Sequence, residues 1–99
     1  MTVFNLLKTL GLPVVYGAHT ERVKAPYLLL TGAGQDYFEA DTTYYVTKDR
    51  WTVEYYFTKK DPALEARIEK LLLDNGYRYE KSEDLYLSDQ EVFFLYYDF

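Results

Sequence analysis

The strongest constraint on the fold lies between Arg50 and Gly76, where one continuous stretch changes its hydrophobic period. In its first half, Trp51, Val53, Tyr55 and Phe57 alternate with Thr52, Glu54, Tyr56 and Thr58. A period of two in β-branched and aromatic residues predicts a strand with one buried face. In the second half, Leu64, Ile68, Leu71 and Leu72 recur at i, i+4, i+7 and i+8, which predicts a helix with one apolar stripe. Asp61 suits the N-cap, Pro62 the first helical position and Gly76 the left-handed stop. A strand face followed directly by a helix stripe predicts that sheet and helix bury each other.

The other segments extend this unit. Thr2 caps a short helix in which Val3, Leu6, Leu7 and Leu10 share a face, with Gly11 ending it and Pro13 preventing its resumption. So short a helix needs the sheet to hold it. Val14 to Tyr16 reads as a brief strand, Gly17 to Ala25 as an exposed loop, and Tyr27 to Thr31 as a central strand. Gly32 to Asp41, with two glycines, three acids and two aromatics, reads as a long irregular loop. Thr42 to Thr47 reads as a strand that Lys48-Asp49-Arg50 turns into the strand at Arg50 to Thr58. After the main helix come Tyr77 to Lys81, an optional short strand at Leu85 to Leu87, and a strong final strand at Glu91 to Phe99. The expected architecture is a single α+β domain over residues 1–99, in the order α-β-β-β-β-α-β-β. It has an antiparallel sheet of about four to six strands with two helices packed on one face.

The final strand raises a question about surfaces. Val92, Phe94 and Tyr96 fall on one side, and Phe93, Leu95, Tyr97 and Phe99 on the other, so both faces are apolar. With helices on one face only, the other carries an aromatic patch of the kind that marks a contact with a partner. Twelve tyrosines in 99 residues agree, because a small core cannot give every buried hydroxyl a partner and tyrosine is favoured at protein contacts. The expected interface set is Tyr37, Phe38, Tyr56, Leu73, Phe93, Leu95 and Tyr97. The alternative is that the final strand is central and a loop folds over its outer face, with tyrosine serving simply as a strand former.

Composition narrows the chemistry. There is no cysteine, so disulfides, zinc–thiolate sites and a cysteine nucleophile are excluded. No apolar run approaches the roughly 20 residues of a membrane span, and the N-terminus lacks signal-peptide features, so a soluble cytoplasmic chain is expected. A formal net charge of −5 argues against adhesion to phosphate backbones or anionic membranes. No nucleophile elbow, zinc-protease motif, phosphate loop or calcium loop occurs. The lone His19 has no positioned partner in the sequence, and Asp36, Glu39 and Asp41 match no calcium-loop spacing. Lys59-Lys60 is too small a basic group for a nucleic-acid patch. No enzyme, metal or cofactor is expected.

Several strings resemble a known family. The opening F-N-L-L-K-T-L-G-L-P-V-V-Y-G, the P-Y-L-L-L run, G-A-G-Q-D-Y-F-E-A-D and T-T-Y-Y-V-T-K-D-R-W-T-V-E-Y-Y-F-T-K-K-D-P-A-L-E are similar to small proteins of the head–tail gene cluster in tailed phages and prophages of Gram-positive bacteria. L-L-L-D-N-G and the terminal E-V-F-F-L-Y-Y-D-F complete the likeness, which covers essentially the whole chain. The resemblance implies a tail-completion, tail-terminator or tail-to-head joining protein. Such a protein is a small α+β subunit that assembles into rings, commonly hexamers, between tail tube and head connector. It implies action through surfaces, with no catalytic residues. The implied partners are further copies and neighbouring connector or tube proteins, met in the host cytoplasm during assembly and then at the virion head–tail junction. The competing expectation is a small acidic regulatory or inhibitory binding protein of mobile-element origin, steered to a basic surface by its charge.

Overall fold

The computed structural model describes residues 2–17, 24–41 and 44–99, with side chains described for all of these except 36–41 and 44–48. His19 and most of the expected exposed loop lie outside the described residues, as do the side chains of Asp36, Glu39 and Asp41.

The first helix, α1 (Val3–Lys8), starts where the sequence places it. Thr2 Oγ1 accepts the Asn5 backbone N–H at 3.2 Å, and Gly11 leaves the helix at φ +82°. Strand β1 (Val14–Tyr16) then runs beside β2 (Tyr27–Asp41) in parallel, with Val14 opposite Leu28. Antiparallel pairing was expected there. Ten residues separate the two strands, more than the two-residue turn that would join an antiparallel hairpin.

Strand β3 (Tyr44–Phe57) pairs with β2 from Tyr27 opposite Tyr56 to Asp41 opposite Tyr44. This corrects two expectations. The stretch read as an irregular loop, 32–41, is the outer half of β2, and the stretch read as a turn, 48–50, lies inside β3. The glycines mark a register shift between Gly32 and Gln35, with Gly34 at φ +90°, and not a reversal of the chain. Among the described residues, no helix covers the paired strands here. Gln35 Nε2 donates to Asp49 Oδ1 across them at 2.7 Å.

Helix α2 (Pro62–Asp74) has the predicted ends. Asp61 Oδ1 accepts from the Leu64 N–H at 3.2 Å. At the other end Gly76 N–H donates to Leu73 O and Tyr77 N–H to Leu72 O, the paired bonds of a Schellman stop with Gly76 at φ +83°. Three strands follow: β4 (Glu80–Lys81), β5 (Leu85–Leu87) and β6 (Val92–Asp98). The order is therefore α-β-β-β-α-β-β-β, because the expected third and fourth strands before the helix are one strand, β3.

The six strands form one open, mostly antiparallel sheet in the order β1-β2-β3-β6-β4, with β5 also on β6. This is the expected α+β class. Leu28, Leu30, Val53, Tyr55, Phe57, Leu95, Tyr97 and Phe99 face the helices. Val3, Leu7 and Leu10, on α1 and the turn after it, and Leu64, Ile68 and Leu72 of α2 close over them in a single core. The opposite face carries Tyr27, Leu29 and Tyr56, all buried, with half-buried Val92, Phe94 and Tyr96.

Beyond this body, β2 and β3 pair only with each other among the described residues. Sheet partners stop at Leu30 on the β1 side and at Thr52 on the β6 side, with one further backbone pair between Trp51 and Phe99. The chain accordingly measures 51 × 25 × 25 Å. Its radius of gyration is 15.0 Å, against about 13 Å for a compact domain of this length.

Candidate functional site

Three features outside the plain core carry chemistry: an ionic cluster on α2, an aromatic cleft at the inner ends of β2 and β3, and the bare ribbon at their outer ends.

The cluster arises because Glu65 and Glu69, one turn apart, lie on the α2 face that meets the sheet. Glu65 is 3% exposed. Lys81, on β4, reaches Glu65 Oε1 and Glu69 Oε2, each at 2.8 Å. Lys60 Nζ lies 2.8 Å from Glu65 Oε2, off the hydrogen-bond direction, and donates to Oε1 at 3.0 Å and to Asp84 at 3.0 and 3.1 Å. Tyr97 Oη donates to Glu69 Oε2 at 2.8 Å and Tyr79 Oη to Oε1 at 3.2 Å. Burial pushes the Glu69 carboxyl up, but the bonds from Lys81 and Tyr97 and the Lys81 charge outweigh it, and the net value is lowered. For Lys81, burial acts downward and the two carboxylates reverse it, so its value is raised. The groups neutralise one another, and the cluster pins α2 to the β4 edge.

The phenols report the same burial. Tyr55 is pushed up to about 12, by desolvation first and by Asp61 and Glu65 next. Tyr97 is raised by burial and by its bond to Glu69, and Tyr56 by burial and by Glu54. A phenol raised in the folded state supports the fold fully below its ordinary value of 10.0, and this support is lost as pH climbs through the folded value. In an alkaline titration, phenolate absorbance is therefore expected to go on rising well above pH 10, with Tyr55, Tyr56 and Tyr97 ionising only as circular dichroism is lost. Ionisation of all twelve tyrosines around the ordinary value with the fold intact would contradict their burial.

The cleft has a volume of about 430 Å³ and is lined by Pro26, Tyr55, Phe57, Lys59, Lys60 and Asp61, with Thr58 between. Its floor continues outward as a series of neighbouring rings, the first two pairs stacked and the last tilted. Tyr55 lies 5.0 Å from Phe57, Phe57 5.8 Å from Phe93, and Phe93 4.9 Å from Tyr86. Phe93 is 40% and Tyr86 54% exposed, so the series runs from core to solvent. Lys60 lies over the Phe57 ring at 5.5 Å.

The expected interface residues do not form one patch. Leu95 and Tyr97 are fully buried beneath the helices. They leave the candidate surface, because β6 is an inner strand and the helices cover that parity. Phe93 shares their face but emerges at the edge, Tyr56 is buried on the other face, and Leu73 stands exposed on α2. Tyr37 and Phe38 are on the ribbon, their side chains outside the description. Sequence reasoning missed Tyr86 and the use of Lys59 and Lys60. Glu65 was legible in principle, since it falls three residues before Ile68 on the buried stripe.

Among the described residues, no group of three or more acidic or histidine side chains is placed to hold a metal, and no helix is long and apolar enough to cross a membrane. No protein-family model matches the chain, and no curated protein matches it.

Proposed function

We propose that the chain is a non-enzymatic structural part of a phage or prophage virion, joining tail to head or terminating the tail by assembling into a ring. What supports this reading, beside the resemblance in sequence, is the bare ribbon. Residues 33–41 and 44–50 pair only with each other among the described residues. A two-stranded ribbon is marginal in water on its own, and open strand edges are templates for association. The edges of the body are treated differently. Strand β1 is three residues long and follows Pro13. The β4–β5 edge is broken at Ser82, whose Oγ accepts the Tyr96 N–H at 2.8 Å in place of a strand carbonyl. Association is thereby directed to the ribbon. The partners are further copies of the chain and the neighbouring connector or tail-tube proteins, and no cofactor takes part.

The test is deletion of the gene from the phage or inducible prophage that carries it, followed by negative-stain electron microscopy of the lysate. Filled heads lying apart from tails, or tails of uncontrolled length, are expected. Joined virions at normal yield would reject the virion role and favour an acidic regulatory binder.

A further inference from the structure

Residues 80–91 lie along the edge of β6 and are only lightly held there. Strands β4 and β5 contribute two and three residues, and no residue of the segment is buried. Leu85 and Leu87 are half-buried, and Tyr86 rests against Phe93 with most of its ring in solvent. The charged ties run to α2 and the linker before it. Lys81 meets Glu65 and Glu69, and Asp84 meets Lys60, which also meets Glu65. Both ties therefore converge on the Glu65 carboxylate. The segment rejoins β6 through Glu91 at φ +54°, a left-handed conformation that residues with a side chain seldom adopt.

We propose that residues 80–91 are an ionic strap, which opens and closes over β6 as one unit while the sheet and helices stay folded. Little apolar burial and many exposed backbone bonds are the marks of a segment that opens below the global unfolding free energy. The shared carboxylate couples β4 to β5, so loss of one tie weakens the other. Opening also frees Glu91 from its left-handed backbone. It leaves β6 (Val92–Asp98), seven residues with apolar side chains on both faces, as an unpaired edge. Such an edge invites pairing with another strand, and the closed strap blocks it. The strap thereby sets when the body presents a strand edge, and it does so whether or not the chain serves a virion.

The alternation of N–H groups along β6 supplies an internal comparison. Tyr96 N–H points to Ser82 in the strap, and Phe99 N–H points to Trp51 on β3. By the same alternation, Phe94 and Asp98 direct their N–H groups at the strap, and Leu95 and Tyr97 direct theirs at β3. The test is native-state hydrogen exchange, read residue by residue by NMR on the isotope-labelled chain. Phe94, Tyr96 and Asp98 are expected to exchange about tenfold or more faster than Leu95 and Tyr97, and with little dependence on urea, because opening the strap exposes little surface. Lys81→Met is expected to speed all three by about tenfold or more, while Leu95 and Tyr97 stay slower in both chains. Phe94 is the decisive position, since it lies opposite Leu85 on β5, whereas Lys81 is on β4 opposite Tyr97. Equal rates and equal urea dependence for the two sets in the wild-type chain would overturn the strap, because β6 would then open only with the whole body. A Lys81→Met effect that is absent, or confined to Asp98, would also overturn it, because the segment would then fray residue by residue.

Discussion

Replacing Leu95 by alanine is expected to destabilise the isolated chain by about 2–5 kcal/mol, the range for emptying a fully buried leucine site. Leu95 has no exposed surface, lies opposite Tyr55 in the β3–β6 pair, and belongs to the core under both helices. The sheet there has a partner strand on each side, and relaxation can fill little of the void. For a domain of this size the melting temperature should fall by about 10 °C or more. Phe93→Ala is the comparison, because its ring lies on the same strand face but is 40% exposed. Its loss should cost the folded chain clearly less. If Leu95→Ala melted within a degree or two of wild type, Leu95 would belong to the surface and the helix-covered face would be misassigned.

Lys81→Met is expected to cost about 2–3 kcal/mol near neutral pH. The variant keeps an aliphatic stem over the Tyr97 ring, where the ammonium lies 5.8 Å from the centroid, but deletes the charge shared by Glu65 and Glu69. Breaking a buried ion pair on one side costs about 3–5 kcal/mol, and the estimate is reduced here because the Lys81 side chain is 35% exposed and partly screened. The pH dependence carries a definite sign. In the wild-type chain the Glu69 carboxyl is held below its ordinary value of 4.5, so its contribution is present above that value and is lost as pH falls through the folded one. Without Lys81, burial acts with less opposition, and a carboxyl that protonates more readily relieves part of the variant's loss. Urea denaturation near pH 7 and again near pH 3.5 should show the gap between the two chains narrowing in acid. An equal gap at both values would mean that packing, and not charge, links Lys81 to α2.

These effects are local to the body formed by sheet and helices. A subunit with a firm core and a two-stranded extension can keep its own fold while its contacts with neighbours form and break. The division follows from burial. The body encloses its apolar face between sheet and helices, while residues 33–41 and 44–50 have strand pairing without a covering layer among the described residues.

Much of the body was legible in residue order because its signals are local. The stretch from Trp51 to Gly76 carries its strand period, helix stripe, N-cap and stop within its own residues, and each appears where expected. Thr2 and Gly11 bound α1 for the same reason. The ribbon was not legible, because glycines and acids carry the same local signal whether the chain loops or continues as an uncovered strand. Only the pairing of Gln35 with Asp49 and of Tyr37 with Thr47 separates these outcomes. The alternation of β6 was equally plain in sequence, but with both parities aromatic nothing local could say which side the helices would cover. That choice places Leu95 and Tyr97 in the core and brings Phe57, Phe93 and Tyr86 together at the cleft. Residue order by itself determined the helices, their ends and the strand periods, since each depends on neighbours a few positions away. The covered face, the parallel β1, the salt-bridged Glu65 and the separation of ribbon from cleft were decided by tertiary structure alone, because each depends on contacts between residues far apart in the chain.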